Sequence, residues 1–541
     1  MRGRPVYLLK KSMLVALVLA MAGFLVACGR SKPPAPGPTA PQVTKGGVLR
    51  VSYASDPTSL DVHNTPSVGS IHAMLHATPV IFGPDSQYHP YYVESWQVAE
   101  DGKSITFKLR DGIILHDGTP LDAQLVAYNN DRLMEKSPHG LTVLGRYERT
   151  DVIDRLTYRL VFAEPYSPVF NGLSISYTGV QSKAAIEKYG AEYGHAGVVG
   201  IGPFKLDSWI SGDKIILTRN PDFTWGPRFY KNTGPAYFER VEWYNMPDET
   251  TRILALKNNE IDITEIPTHA VDDMKNDPNI QIFQYTPTSV VYLGINSSKK
   301  PWSDVRLRQA IAHVVDRDLL VRVGLDGHAV ANPTPLSPSA WGFDQTLYAE
   351  AFPKDINRAK QLLAEAGWRD TTGDGWVNDD KGQPLTLEIW TYTTAPYPRV
   401  TEVVREMIIQ AGIQVKITTL ESATLLARTP EGAHDAILIA YGWPDPDVFN
   451  TFLHSSRLDR ANRVHYVNPT LDAMLEKQRT IVDPVKRFGL IREIQLLIMN
   501  EAPWIPLYTP LVNLGVRREV KDFALDPRGN FLLMDAYKEV R

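Results

Sequence analysis

Residues 436–446 read Ala-Ile-Leu-Ile-Ala-Tyr-Gly-Trp-Pro-Asp-Pro. The first five are apolar without alternation, the pattern of a strand covered on both faces, as in a parallel sheet under helices. Gly442, Pro444 and Pro446 end it. Upstream, Leu385, Leu387 and Ile389 alternate as a second strand, residues 400–410 carry helical spacing, Gly412 stops them, and 413–417 are extended again. Strand, helix, strand order implies βαβ units and an α/β fold. Helices are expected over 470–480 and 484–500, followed by an extended piece at 504–509 among Pro503, Pro506 and Pro510.

Working toward the N-terminus, Ser303 is placed to cap a helix through about Leu320, and Asp355 to cap another that ends at Ala366 with Gly367 as its terminator. Residues 248–257 are helical and 261–263 return as a strand. Residues 204–209 and 215–218 form a hairpin around Ser211-Gly212-Asp213. Ile105, Phe107 and Leu109 alternate with polar residues, and Asp111-Gly112 is expected to turn them into a hairpin with 113–115. Asp122 caps a helix to about Met134, and 48–53 form the first strand.

The chain has 541 residues, 43 % hydrophobic and 22 % charged, with a formal charge of −4. That length exceeds one typical core and predicts two or three lobes. No basic excess marks a nucleic-acid partner.

The first 27 residues have secretory-signal order: Arg2, Arg4, Lys10 and Lys11, then an apolar run from Met13, then Leu25-Val26-Ala27-Cys28. Leu-Val-Ala-Cys resembles a bacterial lipobox, which implies cleavage before Cys28 and a lipid on its thiol. Cys28 is the single cysteine, so no disulfide competes for it. Residues 28–45 contain Pro33, Pro34, Pro36, Pro38 and Pro41 and read as an extended tether.

Catalytic motifs are absent: the sequence holds no G-x-S-x-G, no H-E-x-x-H, no Walker A loop and no C-x-x-C. His72 and His76 share helical spacing but lack an evident third metal ligand. Asp370, Asp374 and Gly375 echo a calcium loop, yet Thr372 and Lys381 occupy ligand positions. His116-Asp117-Gly118 reads as a tight turn. No cofactor or metal is expected, and a secreted hydrolase, the competing class, lacks a nucleophile. What remains are aromatic loops at strand ends: Trp390 and Tyr392 on one strand, and Tyr441, Trp443 and Asp445 after another. Open α/β sheets bind ligands beyond such ends, and Trp, Tyr and a carboxylate supply stacking and an anchor.

The chain resembles the family 5 extracellular solute-binding proteins, the oligopeptide, dipeptide and nickel-chelate receptors of ABC importers. The matching segments, in order, are GGVLRV (46–51) with Ser59-Leu60-Asp61, ITFKLRDGIILHDG (105–118) and Gly202-Pro203-Phe204, then Arg219-Asn220-Pro221 and LALKNNEIDI (254–263). RLRQAI (306–311), AKQLLAEAGW (359–368) and APWIPLY (502–508) complete the set. The resemblance implies a two-lobed periplasmic-binding-protein fold, large, hinged by two strands. Lobe one is implied at 46–75, 200–295 and 505–541, its inserted subdomain at 76–199, and lobe two at 296–504, with hinges near 293–296 and 504–507. It also implies a monomer in the cell envelope that closes around a peptide or related polar solute, passes it to permease and ATPase subunits, and alters no covalent bond. Asp56 and Pro57 match pocket-lining positions of peptide-binding relatives. Those relatives carry an Asp, four residues before the closing proline, that pairs with the peptide ammonium; here that position is Gly442. Metal chelate, opine and oligosaccharide cargo therefore stay open beside peptides.

Overall fold

The computed structural model describes residues 46–85, 87–458 and 460–539. The signal segment, Cys28 and the tether fall outside these residues. Two sheets organise the rest. The seven-stranded sheet runs, in spatial order, Ile280–Tyr285, Val512–Arg517, Ile263–Glu265, Val48–Tyr53, Arg240–Asn245, Lys214–Arg219 and Phe204–Ile210. Val48–Tyr53 is parallel to both neighbours, so the winding of the sheet reverses at this strand. The six-stranded sheet runs Ala329–Ala331, Trp504–Pro510, Ser289–Ile295, Ala436–Gly442, Thr386–Tyr392 and Gln414–Leu420.

Ala436–Gly442 is covered on both faces, as its unbroken apolar run requires. Ala436 and Leu438 enter one core with Leu293, Leu387 and Ile505, while Ile437, Ile439 and Tyr441 enter another with Tyr292, Phe449 and Trp504. The sheet is mixed: this strand is parallel to Thr386–Tyr392 but antiparallel to Ser289–Ile295.

Three expectations change. Residues 113–115 do not pair back on 105–109. Ser104–Leu109 instead lies between Val93–Val98 and Thr157–Phe162 in a four-stranded sheet, and Ile114 bridges Pro120. The left-handed Gly112 (φ 79°) turns the chain, but the alternating partners of this strand come from farther along it. The single helix expected over 303–320 is two, Val305–Val314 and Arg317–Gly324, capped by Asp304 and Asp316, because the Asp316 carboxylate takes the Leu319 N–H and starts a new turn. Finally, residues 289–295 and 504–510 both pair within the six-stranded sheet, so the chain crosses between sheets at 286–288 and at Leu511, before and after the expected 293–296 and 504–507.

The inserted region is tied to lobe one by a buried network. Arg132, on helix Ala123–Lys136, pairs with both oxygens of Asp61 at 2.9 and 2.6 Å and donates to His63 Nδ1, while Gln181 adds a third donor to Asp61.

Candidate functional site

The matching motifs converge on one another rather than on a reactive centre. The Gly202 carbonyl accepts from His116 Nε2 at 3.0 Å and from Asn220 Nδ2 at 3.1 Å. Gly202 lies so close under helix Ser70–Leu75 that a Cβ there would stand 2.2 Å from the Met74 carbonyl. The Asp117 carboxylate takes Thr119 N–H and Ser182 Oγ–H, the geometry of a turn. His72 and His76 face the Ser59 and Leu60 carbonyls, and no metal-binding cluster is found among the described residues. The Asp370 carboxylate takes the Gly373 and Gly375 N–H groups of its own loop.

A cavity of about 570 Å³ lies between lobe one, its insertion and the loop after Ala436–Gly442. Met74, Tyr177 and Phe531 form walls from lobe one and its insertion, Gly442 and Trp443 from lobe two, and Thr288 from the crossover. Apolar and aromatic surface with a few polar groups is the ordinary make-up of a small-molecule site. The acid and the arginine of the wall, Asp526 and Arg528, are held by the protein. The Asp526 carboxylate accepts the backbone N–H groups of Arg528 and Asn530 and the Asn530 side-chain amide. The Arg528 guanidinium donates to the Ser174 carbonyl, Ser174 Oγ and Asn171 Oδ1.

The sequence-read residues divide. Trp443 is half-buried in the cavity wall. Tyr441 is packed against Tyr292, Phe452 and Trp504. Asp445 is 2 % exposed and held by Arg487 at 2.6 and 2.8 Å; Gln478 bridges Arg487 to Asp447. Asp56 accepts Tyr53 O–H and the Ser211 and Gly212 groups of a hairpin turn, with Pro57 beside it. Trp390 lies under Arg428, 4.7 Å from its ring centre, and Tyr392 meets Tyr397 edge-on. None of these six lines the cavity. Arg528, Tyr177 and Phe531 do, and no periodicity or motif marks them.

The lobes touch away from the cavity. The Ser167 N–H of the insertion donates to the Arg479 carbonyl at 2.6 Å, Ser167 Oγ donates to the Ile481 carbonyl, and the Arg479 guanidinium lies 5.2 Å from the Tyr166 ring.

Two α/β lobes joined by two crossovers, with an aromatic cavity between them, define a two-lobed solute-binding protein. The model of "Bacterial extracellular solute-binding proteins, family 5 Middle" matches residues 87–460, more than half of the chain, and the protein belongs to that family. The dipeptide-binding protein of Escherichia coli K12 is 27 % identical over 475 residues, covering 81 % of this chain and 84 % of that one. The glutathione-binding protein GsiB of the same strain is 26 % identical over 522 residues, covering 90 % and 93 %. The fold is shared with NikA of Brucella suis, solved with Fe(III)-EDTA, at a TM-score of 0.80 and 24 % identity, covering 91 % of this chain and all of that one. It is likewise shared with the oligopeptide-binding protein AppA of Bacillus subtilis, solved with a nonapeptide, at 0.71 and 22 %, covering 92 % and 100 %.

Proposed function

We propose that this protein is the substrate-binding component of an ABC importer, a monomer anchored outside the cytoplasm through a lipid on Cys28, that captures peptides or related polar compounds by hinge closure. The cavity of about 570 Å³ walled by both lobes carries the reading. A solute there touches both jaws at once, so its binding energy favours the closed state that a permease recognises. The dipeptide and glutathione receptors named above bring peptide cargo into the proposal.

A second cargo class is favoured by one observation. Gly442 offers no carboxylate, and the nearby Asp445 is committed to Arg487. A metal chelate, opine or oligosaccharide needs no ammonium partner at that end. Mass spectrometry of ligand released from purified protein separates the two, since recurring sugar or chelate masses without peptides remove the peptide reading. Small-angle scattering with and without that ligand tests closure; identical profiles overturn it. Cys28→Ser is expected to release the protein from membranes, and retention of the variant contradicts the anchor.

A further inference from the structure

A second cavity, of about 220 Å³, opens in lobe one at the carboxyl ends of Val48–Tyr53 and Ile263–Glu265. This is where the sheet reverses its winding, the place at which open α/β sheets bind ligands. Its walls include Tyr53, Trp243, Arg252, Glu265 and Tyr285, and it shares Gly529 and Phe531 with the larger cavity. The two cavities are thus neighbours.

Glu265 is the acidic residue of this wall, and among the described residues its carboxylate has no hydrogen bond and no ion pair. Two other acids of these strands are engaged: Asp56 by Tyr53, Ser211 and Gly212, and Asp262 by Arg50 and Lys538. Arg252, in the same wall, spends its Nη1 on the Met246 and Pro247 carbonyls at 2.7 and 2.9 Å. The Glu265 side chain is exposed at the end of its strand, and neighbouring atoms remove enough of its hydration to hold the carboxyl above its ordinary pKa, with Arg252 opposing and Glu249 adding to the rise. Trp243 is 5 % exposed and its indole N–H has no acceptor in the protein. An unpaired carboxylate in a wall that also holds Tyr53, Trp243, Tyr285 and Phe531 suits a cation twice over, through charge and through nearby aromatic rings.

We propose that this second cavity is the subsite for a cationic group of the cargo, a primary ammonium or a guanidinium, with Glu265 as its counter-ion. The subsite rests on the reading of the chain as a receptor for peptide-like solutes. It gives an amine a partner in lobe one where the loop of lobe two, with Gly442, supplies none.

The test uses calorimetry on the full chain with three probes: trialanine, N-acetyl-trialanine and N-acetyl-Ala-Lys-Ala. Glu265→Gln is expected to weaken binding of the amine-bearing probes by at least about tenfold and to leave N-acetyl-trialanine within about twofold. Preference for trialanine assigns the subsite to an amino terminus; preference for the lysine probe assigns it to a side chain. Equal loss on all three probes, or no loss, overturns the proposal. A parallel readout uses the ligand that co-purifies: it should react with an amine- or guanidine-specific reagent and be depleted from Glu265→Gln, whose melting temperature serves as the folding control. A co-purified ligand without a basic group overturns the subsite and leaves the receptor reading standing. A protein that carries no small molecule and binds none of the probes overturns both.

Discussion

Trp443 and Asp445 stand two residues apart and face different tasks. Trp443 borders the large cavity, so Trp443→Ala is expected to weaken cargo binding by about 1–3 kcal/mol with the melting temperature unchanged. Unaltered affinity by calorimetry removes it from the site. Asp445 is the counter-ion of a buried guanidinium, so Asp445→Ala should act on stability. Leaving Arg487 unpaired is expected to cost about 3–5 kcal/mol in a urea titration. A variant that melts with wild-type stability would show that the pair is dispensable. Both residues carry the same signature in the sequence, a polar or aromatic side chain beyond a strand. Which of them meets solvent depends on helix Pro484–Glu501, more than forty positions downstream, which supplies Arg487.

Individual elements were largely legible where local physics decides them. The helices begin at Asp122, Asp248 and Asp355, each accepting an N–H from the first turn, as Asp caps do. The hairpin Phe204–Ile210 with Lys214–Arg219 follows its alternation and its Ser-Gly-Asp turn. Two of the readings that changed depended on distant partners: Ser104–Leu109 pairs with Thr157–Phe162, and Ser289–Ile295 with Trp504–Pro510; the third, the split of the helix over 303–320, is local to the Asp316 cap. The cavity walls were least legible, since Tyr177, Thr288 and Phe531 come from three separate regions and share no spacing. Gly202 belongs to this scale because it fixes how two elements approach. Its missing side chain admits the Met74 carbonyl, so Gly202→Ala should push helix Ser70–Leu75 outward and cost about 1–3 kcal/mol in thermal or chemical unfolding. A neutral result would mean that the helix yields freely.

At the scale of the molecule, burial of histidines couples stability to pH. Desolvation pushes His63 and His76 down to about 3, with Arg132 adding to the effect on His63 and His72 to that on His76; desolvation pushes His116 down to about 4. An unfolded imidazole titrates near 6.5, so between those values the unfolded chain binds protons that the fold refuses. Stability is therefore complete above about pH 6.5 and declines as the pH falls toward 4, by about 1 kcal/mol per histidine at pH 5.5. Calorimetric melting temperatures should drop from pH 7 to pH 5; a flat series in that window contradicts this. The clasp at Ser167 works at the same scale. Its two acceptors are the main-chain carbonyls of Arg479 and Ile481, which every residue type supplies. Substitutions at 479 and 481 can therefore accumulate over evolution without unfastening it, whereas a shift in loop length by one position would. In the closure cycle proposed above, opening the lobes means breaking both of these bonds, each contributing about 1 kcal/mol. The clasp thus adds to closure an increment that any passenger meets alike, on top of its own binding energy.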